Sequence, residues 1–136
     1  MSVLFAWAGN EQDVLRTELD HAWTIMRGQE EQPHYISAAL EERHEIRLSS
    51  ELGAISLDSD TNRRTLDIDL RVGTPELDST HPLRGFSALD GDDRRTLSVP
   101  LSGDFPLRHA VRKELDRAYR EAAERIVLVR GNRDVK

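Results

Sequence analysis

Arg63-Arg64-Thr65-Leu66-Asp67-Ile68-Asp69-Leu70-Arg71-Val72-Gly73 alternates from Thr65 to Val72 without a break. Leu66, Ile68, Leu70 and Val72 fall on one side of an extended chain; Thr65, Asp67, Asp69 and Arg71 fall on the other. A period of two belongs to a strand with one dry face and one polar face. The run therefore predicts a long strand whose oily side is sealed by helices, with Asp67, Asp69 and Arg71 left in solvent as a charge ladder.

Beyond Gly73 the chain turns polar. Leu77-Asp78-Ser79-Thr80-His81-Pro82-Leu83-Arg84-Gly85 lies within a stretch, residues 74–93, that reads as one loop. Loops that long are uncommon in compact domains and are ordinarily functional or mobile. Before the long strand, Asp58-Ser59-Asp60-Thr61-Asn62 supplies turn chemistry. Further upstream the spacing predicts strands at 35–40, 45–50 and 53–57, with a polar break at Glu41-Glu42-Arg43-His44 and with Ile46 and Leu48 on one face. A last short strand is expected at 96–101. Short polar connections favour an antiparallel meander, because parallel pairs need crossovers of a dozen or more residues.

Two helices frame these strands. Asn10 can cap the first, with Asp13 three residues on, and Val14, Leu15, Leu19, Ala22, Trp23 and Met26 recur at helical spacing before Gly28. Asp104 and Pro106 open the second, whose apolar stripe is Leu107, Val111, Leu115, Ala118, Ala122 and Ile126. Asp116–Arg120, Arg117–Glu121 and Glu121–Arg125 decorate its outer side, each pair contributing only about 0.2–0.5 kcal/mol. The expected fold is α+β: one domain over residues 1–136, an antiparallel meander sheet with two amphipathic helices, N-terminal and C-terminal, packed on one face. Residues 1–10 read as an extension.

A chain of 136 residues can bury roughly 68–70% of its unfolded surface in one core. Its net charge of −6 argues against a phosphate-binding groove, so no nucleic acid is expected; the only basic strip in reach is Arg94, Arg95, Arg108, Arg112 and Lys113. The absence of cysteine excludes disulfides and thiolate chemistry and suits a cytoplasmic location. Val3-Leu4-Phe5-Ala6-Trp7-Ala8 is far shorter than the ~20 residues of a membrane span, and no membrane partner is expected.

The residues that could carry chemistry read more simply as structure. His21, His34, His44, His81 and His109 show no ligand spacing; His44-Glu45 begins like HExxH, but position 48 is Leu, and a surface histidine at a turn is expected. No metal or cofactor is expected. Asp67 and Asp69 could divide acid and base roles only if burial separated their pKa values, and alternation assigns them to the wet face. Asp78, Ser79 and His81 have the residue types of a hydrolytic triad, but neighbours in one loop seldom converge so; Asp78 and Thr80 read as caps bonding backbone amides. Trp7 and Trp23 read as core or docking residues. Taken alone, the residues indicate a soluble domain with no self-evident active site.

The segment from Pro33 to Gly85 nevertheless resembles the N-terminal region of TldD/PmbA-type metallopeptidase homologues, nearest to a bacterial TldD-related subgroup. The resemblance is carried by Tyr35-Ile36-Ser37, Ser49-Ser50 with Leu52-Gly53-Ala54, the run 63–73, and Leu77-Asp78 with Thr80-His81-Pro82-Leu83-Arg84-Gly85. The helix regions around Glu18-Leu19-Asp20 and from Pro106 to Ala123 match in position, so residues 11–126 are covered. The resemblance implies an α+β domain without the catalytic metal, since the zinc-binding HExxxD helix of that family lies in a C-terminal half. Position 49 here is Ser, so His44-Glu45 does not stand in for it. It implies an excised domain or a stand-alone relative, not itself an enzyme, serving assembly and extended-peptide binding. The partners implied are a second copy in a homodimer or a TldD/PmbA-like protein. Asp67, Asp69, Arg71, Asp78, His81 and Arg84 become the candidate contact residues, and loop 74–93 a candidate lid or dimer contact. The alternative is a stand-alone protein-interaction adaptor unrelated to proteolysis.

Overall fold

A computed structural model describes residues 10–83 and 96–134 of the chain. The elements run α1 (Asn10–Met26), β1 (Pro33–Glu51), β2 (Ala54–Thr74), β3 (Leu77–Asp78), β4 (Leu97–Val99) and α2 (Asp104–Asp134). The fold is α+β: a four-stranded antiparallel sheet ordered β1-β2-β3, with β4 also on β2, and a helix before and after it.

One hairpin dominates. β1 and β2 pair from Pro33↔Val72 out to Glu51↔Ala54. The polar break at 41–44 and the turn at 58–62 do not exist; both are strand, and four expected strands are two long ones. Their polar residues face each other across the ribbon, Glu42 opposite Arg64 and His44 opposite Asn62, so pairing continues where burial stops. The turn is Leu52-Gly53, with φ of 50° and 81°. Two-residue hairpin loops require this left-handed geometry because it matches strand twist. Glycine adopts it freely; leucine rarely does.

Both helices cover the even-numbered face of the inner hairpin. Leu66, Ile68, Leu70 and Val72 are buried there with Val14 and Met26 of α1 and with Leu107, Val111, Leu115, Ala122, Ile126 and Val129 of α2. Ile36, Ala38 and Leu40 of β1 pack beside them. Both helical stripes are thus as the spacing predicts. Each also buries an acid at stripe spacing: Glu18 between Val14 and Ala22, and Glu114 between Val111 and Ala118. Glu18 is bound by Arg108 (3.1 Å) and Arg112 (2.5 Å), so these two members of the basic strip that the sequence allows are neutralised by a buried acid; Arg94 and Arg95 lie outside the described residues. Tyr119 donates to the Glu31 carbonyl (3.0 Å), and Arg130 meets the Glu31 carboxylate (2.6 Å), fastening the α1–β1 connection to α2. Burial, then the nearby Glu31 charge, pushes the Tyr119 phenol up.

The core ends at Arg64. This buried guanidinium reaches Glu11 at the start of α1 (3.3 Å) and Glu42 on β1 (3.2 Å). Past it the hairpin leaves the helices behind, and every residue from 41 to 51 is exposed. Among the described residues no helix is long and apolar enough to cross a membrane.

Candidate functional site

The odd-numbered face of the inner hairpin and the turn at its end bring the candidate residues together. On that face the register sets Tyr35 opposite Arg71, Ser37 opposite Asp69 and Ala39 opposite Asp67. Arg71 donates through Nε and Nη2 to Asp69, at 3.2 and 2.8 Å, and its guanidinium stands over the Tyr35 ring, 5.0 Å from the centroid. The Asp69 hydrogen bond, only partly offset by burial, holds the Arg71 pKa above its ordinary value. This guanidinium is fixed by its neighbours rather than offered to a ligand.

The expectation that both carboxylates stay in open water is corrected. Asp67 and Asp69 are half-buried, and Asp67 Oδ1 is fully buried without a hydrogen-bond partner. The face is polar, as alternation predicts, but it is not open to water along its whole length.

At the end of β2 the chain reverses through Gly73, whose φ is 114°. Ser79 N–H donates to the Val72 carbonyl (2.9 Å), and Val72 N–H donates to Ser79 Oγ (3.2 Å), so the serine is a strut of the turn. Asp78 Oδ1 accepts from the Thr80 amide (2.9 Å) and the Thr80 hydroxyl (2.6 Å). The expected Asp78 cap is therefore present, whereas Thr80 bonds Asp78 and not an amide beyond it. The other Asp78 oxygen lies 3.0 Å from His34 Nε2. Burial pushes the Asp78 pKa up, but the Thr80 and His34 hydrogen bonds together outweigh it and hold the carboxyl below its ordinary range.

His34, not His81, is thus the histidine beside Asp78; His81 is exposed, and Arg84 lies outside the described residues with the rest of 84–95. His44 is exposed, 2.5 Å from Asp60, and stands in strand rather than at a turn. Trp23 is half-buried with Arg27 over its ring, 5.7 Å from the centroid; Trp7 lies outside the described residues. Among the described residues no three metal-binding side chains gather. Sequence reasoning missed His34 and Tyr35 as site residues. The signal that finds them is the hairpin register, Pro33↔Val72 and Tyr35↔Arg71, because it brings both next to positions already chosen.

No family model, no curated protein and no solved structure matches the chain.

The Asp78 network has a measurable role in holding the turn. Asp78→Ala removes three hydrogen bonds made by a buried carboxylate, while the exposed Thr80 can turn to water, so about 0.5–1.5 kcal/mol per bond is the ceiling and a total loss of about 1–3 kcal/mol is expected. Urea unfolding at neutral pH checks it; a variant as stable as the parent would show the turn to be held by backbone contacts alone.

Proposed function

We propose that the chain is a non-catalytic accessory domain of the kind found at the N-terminus of TldD/PmbA-type metallopeptidases, serving assembly and the capture of extended peptide. One observation carries this reading. β1 is hydrogen-bonded to β2 along one side only and, among the described residues, its other side has no strand. Every second residue of an edge strand turns its N–H and C=O outward, a template that an extended chain can extend by backbone hydrogen bonds regardless of side-chain identity.

Residues 33–40 suit that use best. They are backed by the core through Ile36, Ala38 and Leu40, so the edge is stiff, and Tyr35 offers an exposed ring beside it. Asp67, Asp69, Arg71 and Asp78 act as the support that holds this edge and its end in place. No reaction is assigned to them, and no cofactor is invoked.

Titrating isotope-labelled protein with an unstructured peptide tests the reading. Amide shifts should appear at alternate positions through 33–40, with little change on α2. An edge whose amides stay unmoved at millimolar peptide rules the peptide-capture reading out.

A further inference from the structure

The outer half of the hairpin is an arm without a cover. Ile46, Leu48 and Ile55 are 67%, 69% and 69% exposed. Ile46 and Leu48 share the even-numbered face of β1 with Ile36, Ala38 and Leu40, so the apolar stripe of the core resumes beyond Arg64. Ile55, opposite Ser50 after an irregularity in the register, joins the same face. Isolated two-stranded ribbons are marginal in water, and exposed edges are usually blunted by proline, bulges or charged side chains, which a second copy can accept only where its own charges are complementary. From 41 to 49 this edge has no proline, no glycine and no register shift, and the charges on its odd-numbered face, Glu41, Arg43, Glu45 and Arg47, alternate in sign.

We propose that residues 42–50 of β1 pair antiparallel with the same residues of a second copy, about a twofold axis through Ile46. The result is a four-stranded ribbon in the order β2-β1-β1-β2, with the apolar residues of both arms on one face. It deepens the assembly part of the proposed function and rests on that reading; residues 33–40 stay open for peptide.

Charge fixes the register. A twofold axis perpendicular to the ribbon must pass through a β1 residue, so that opposite side chains share a face. With Ile46 on the axis, Ile46 meets its own copy, Glu45 meets Arg47 of the second copy, Arg47 meets Glu45, and Leu48 meets His44. Shifting the axis to Glu45 or to Arg47 sets that residue against itself, and like charges directly opposite are destabilising. Shifting it to His44 turns Ile46 against Glu42, and shifting it to Leu48 sets Glu45 against Glu51. The Ile46 axis joins unlike charges and an apolar pair with no like charges opposite between 42 and 50; the Arg47 axis also sets Ile46 against Leu48, but it puts two arginines face to face at its centre. In the single chain Arg47 Nε sits 2.6 Å from Glu45 of its own strand, so the two are already aligned to exchange partners.

Light scattering on the intact chain, with charge-swapped variants, tests the proposal. The parent should have twice the chain mass. Glu45→Arg alone and Arg47→Glu alone should each be monomeric, because each sets like charges opposite, and an equimolar mixture of the two should recover the dimer. Since the chain has no cysteine, Ile46→Cys gives an independent readout: it should cross-link on mild oxidation, while Leu48→Cys should not. A parent monomeric at all concentrations, or a dimer that neither charge variant weakens, overturns the proposal; so does an Ile46→Cys chain that fails to cross-link. A monomer whose 33–40 amides still respond to peptide removes the dimer alone, and a dimer that ignores peptide removes only the peptide reading.

Discussion

Gly73→Ala should destabilise the domain by about 2–6 kcal/mol, the sum of roughly 1–3 for a strained backbone and roughly 1–3 for overpacking. Gly73 has φ 114°, a conformation that side chains rarely adopt. A Cβ there would stand 2.5 Å from the Leu77 carbonyl oxygen, 3.2 Å from Asp78 Cα and 3.0 Å from Ile126 Cδ1. The first two are backbone and cannot swing aside; the third is fixed in the core. Relief therefore requires the β2–β3 turn to open, which loosens Asp78 and Ser79 together. Gly53→Ala is the control. Its φ of 81° is also left-handed, but nothing lies within 4 Å of the new Cβ, so only the backbone cost applies, about 1–3 kcal/mol. Urea unfolding of the two variants separates the contributions. Equal losses would mean that close approach at the β2–β3 turn contributes nothing.

The same turn marks where sequence reading succeeds and where it stops. Leu66, Ile68, Leu70 and Val72 could be assigned to the core because one face of β2 meets helices and the other does not, which writes burial into the sequence as alternation. From 41 to 62 neither helix covers a face, and polar residues stand on both sides among the exposed Ile46, Leu48, Ile55 and Leu57, so the alternation that marks the core fades. Asp58 and Asp60 then look like a turn, although they stand opposite Leu48 and Ile46 in a regular ladder. Contacts between distant positions are equally hidden. His34 and Asp78 are 44 residues apart, and their meeting follows only from the pairings Pro33↔Val72 and Gly73↔Asp78 taken together. Glu18 lies four residues from both Val14 and Ala22, so spacing places it on the apolar face, but the two arginines that let a charge sit there are 90 and 94 residues away and leave no local signal.

Glu18 gives the second large effect, and removing its arginine partners should reverse the sign of its pH dependence. Glu18 is buried between α1 and α2 and accepts from Arg108 Nη1 and from Nε and Nη2 of Arg112. The Arg112 hydrogen bonds, outweighing burial and aided by Arg108, hold its pKa below the ordinary 4.5. The folded state therefore binds fewer protons than the unfolded one near that pH. The stabilisation is complete above about 4.5 and is lost as pH falls through the lowered value. Glu18→Gln removes the charge but keeps the shape, and should cost about 1.5–3 kcal/mol at pH 7 while flattening this acid loss. Removing the partners instead, with Arg108→Ala and Arg112→Ala together, leaves a buried carboxylate uncompensated, which costs about 3–5 kcal/mol. Burial then acts alone and raises the folded pKa above the unfolded one. Stability in that variant is fullest at low pH and declines as pH rises through the raised value, opposite to the parent. Glu18→Met tests the same logic from the apolar side: the two arginines are 40% and 62% exposed and can turn to water, so this variant should be more stable than the double alanine variant. Urea midpoints of the four proteins from about pH 2.5 to 8 decide the matter, and a double alanine variant whose pH slope has the same sign as the parent's would show that Glu18 is hydrated in the folded chain.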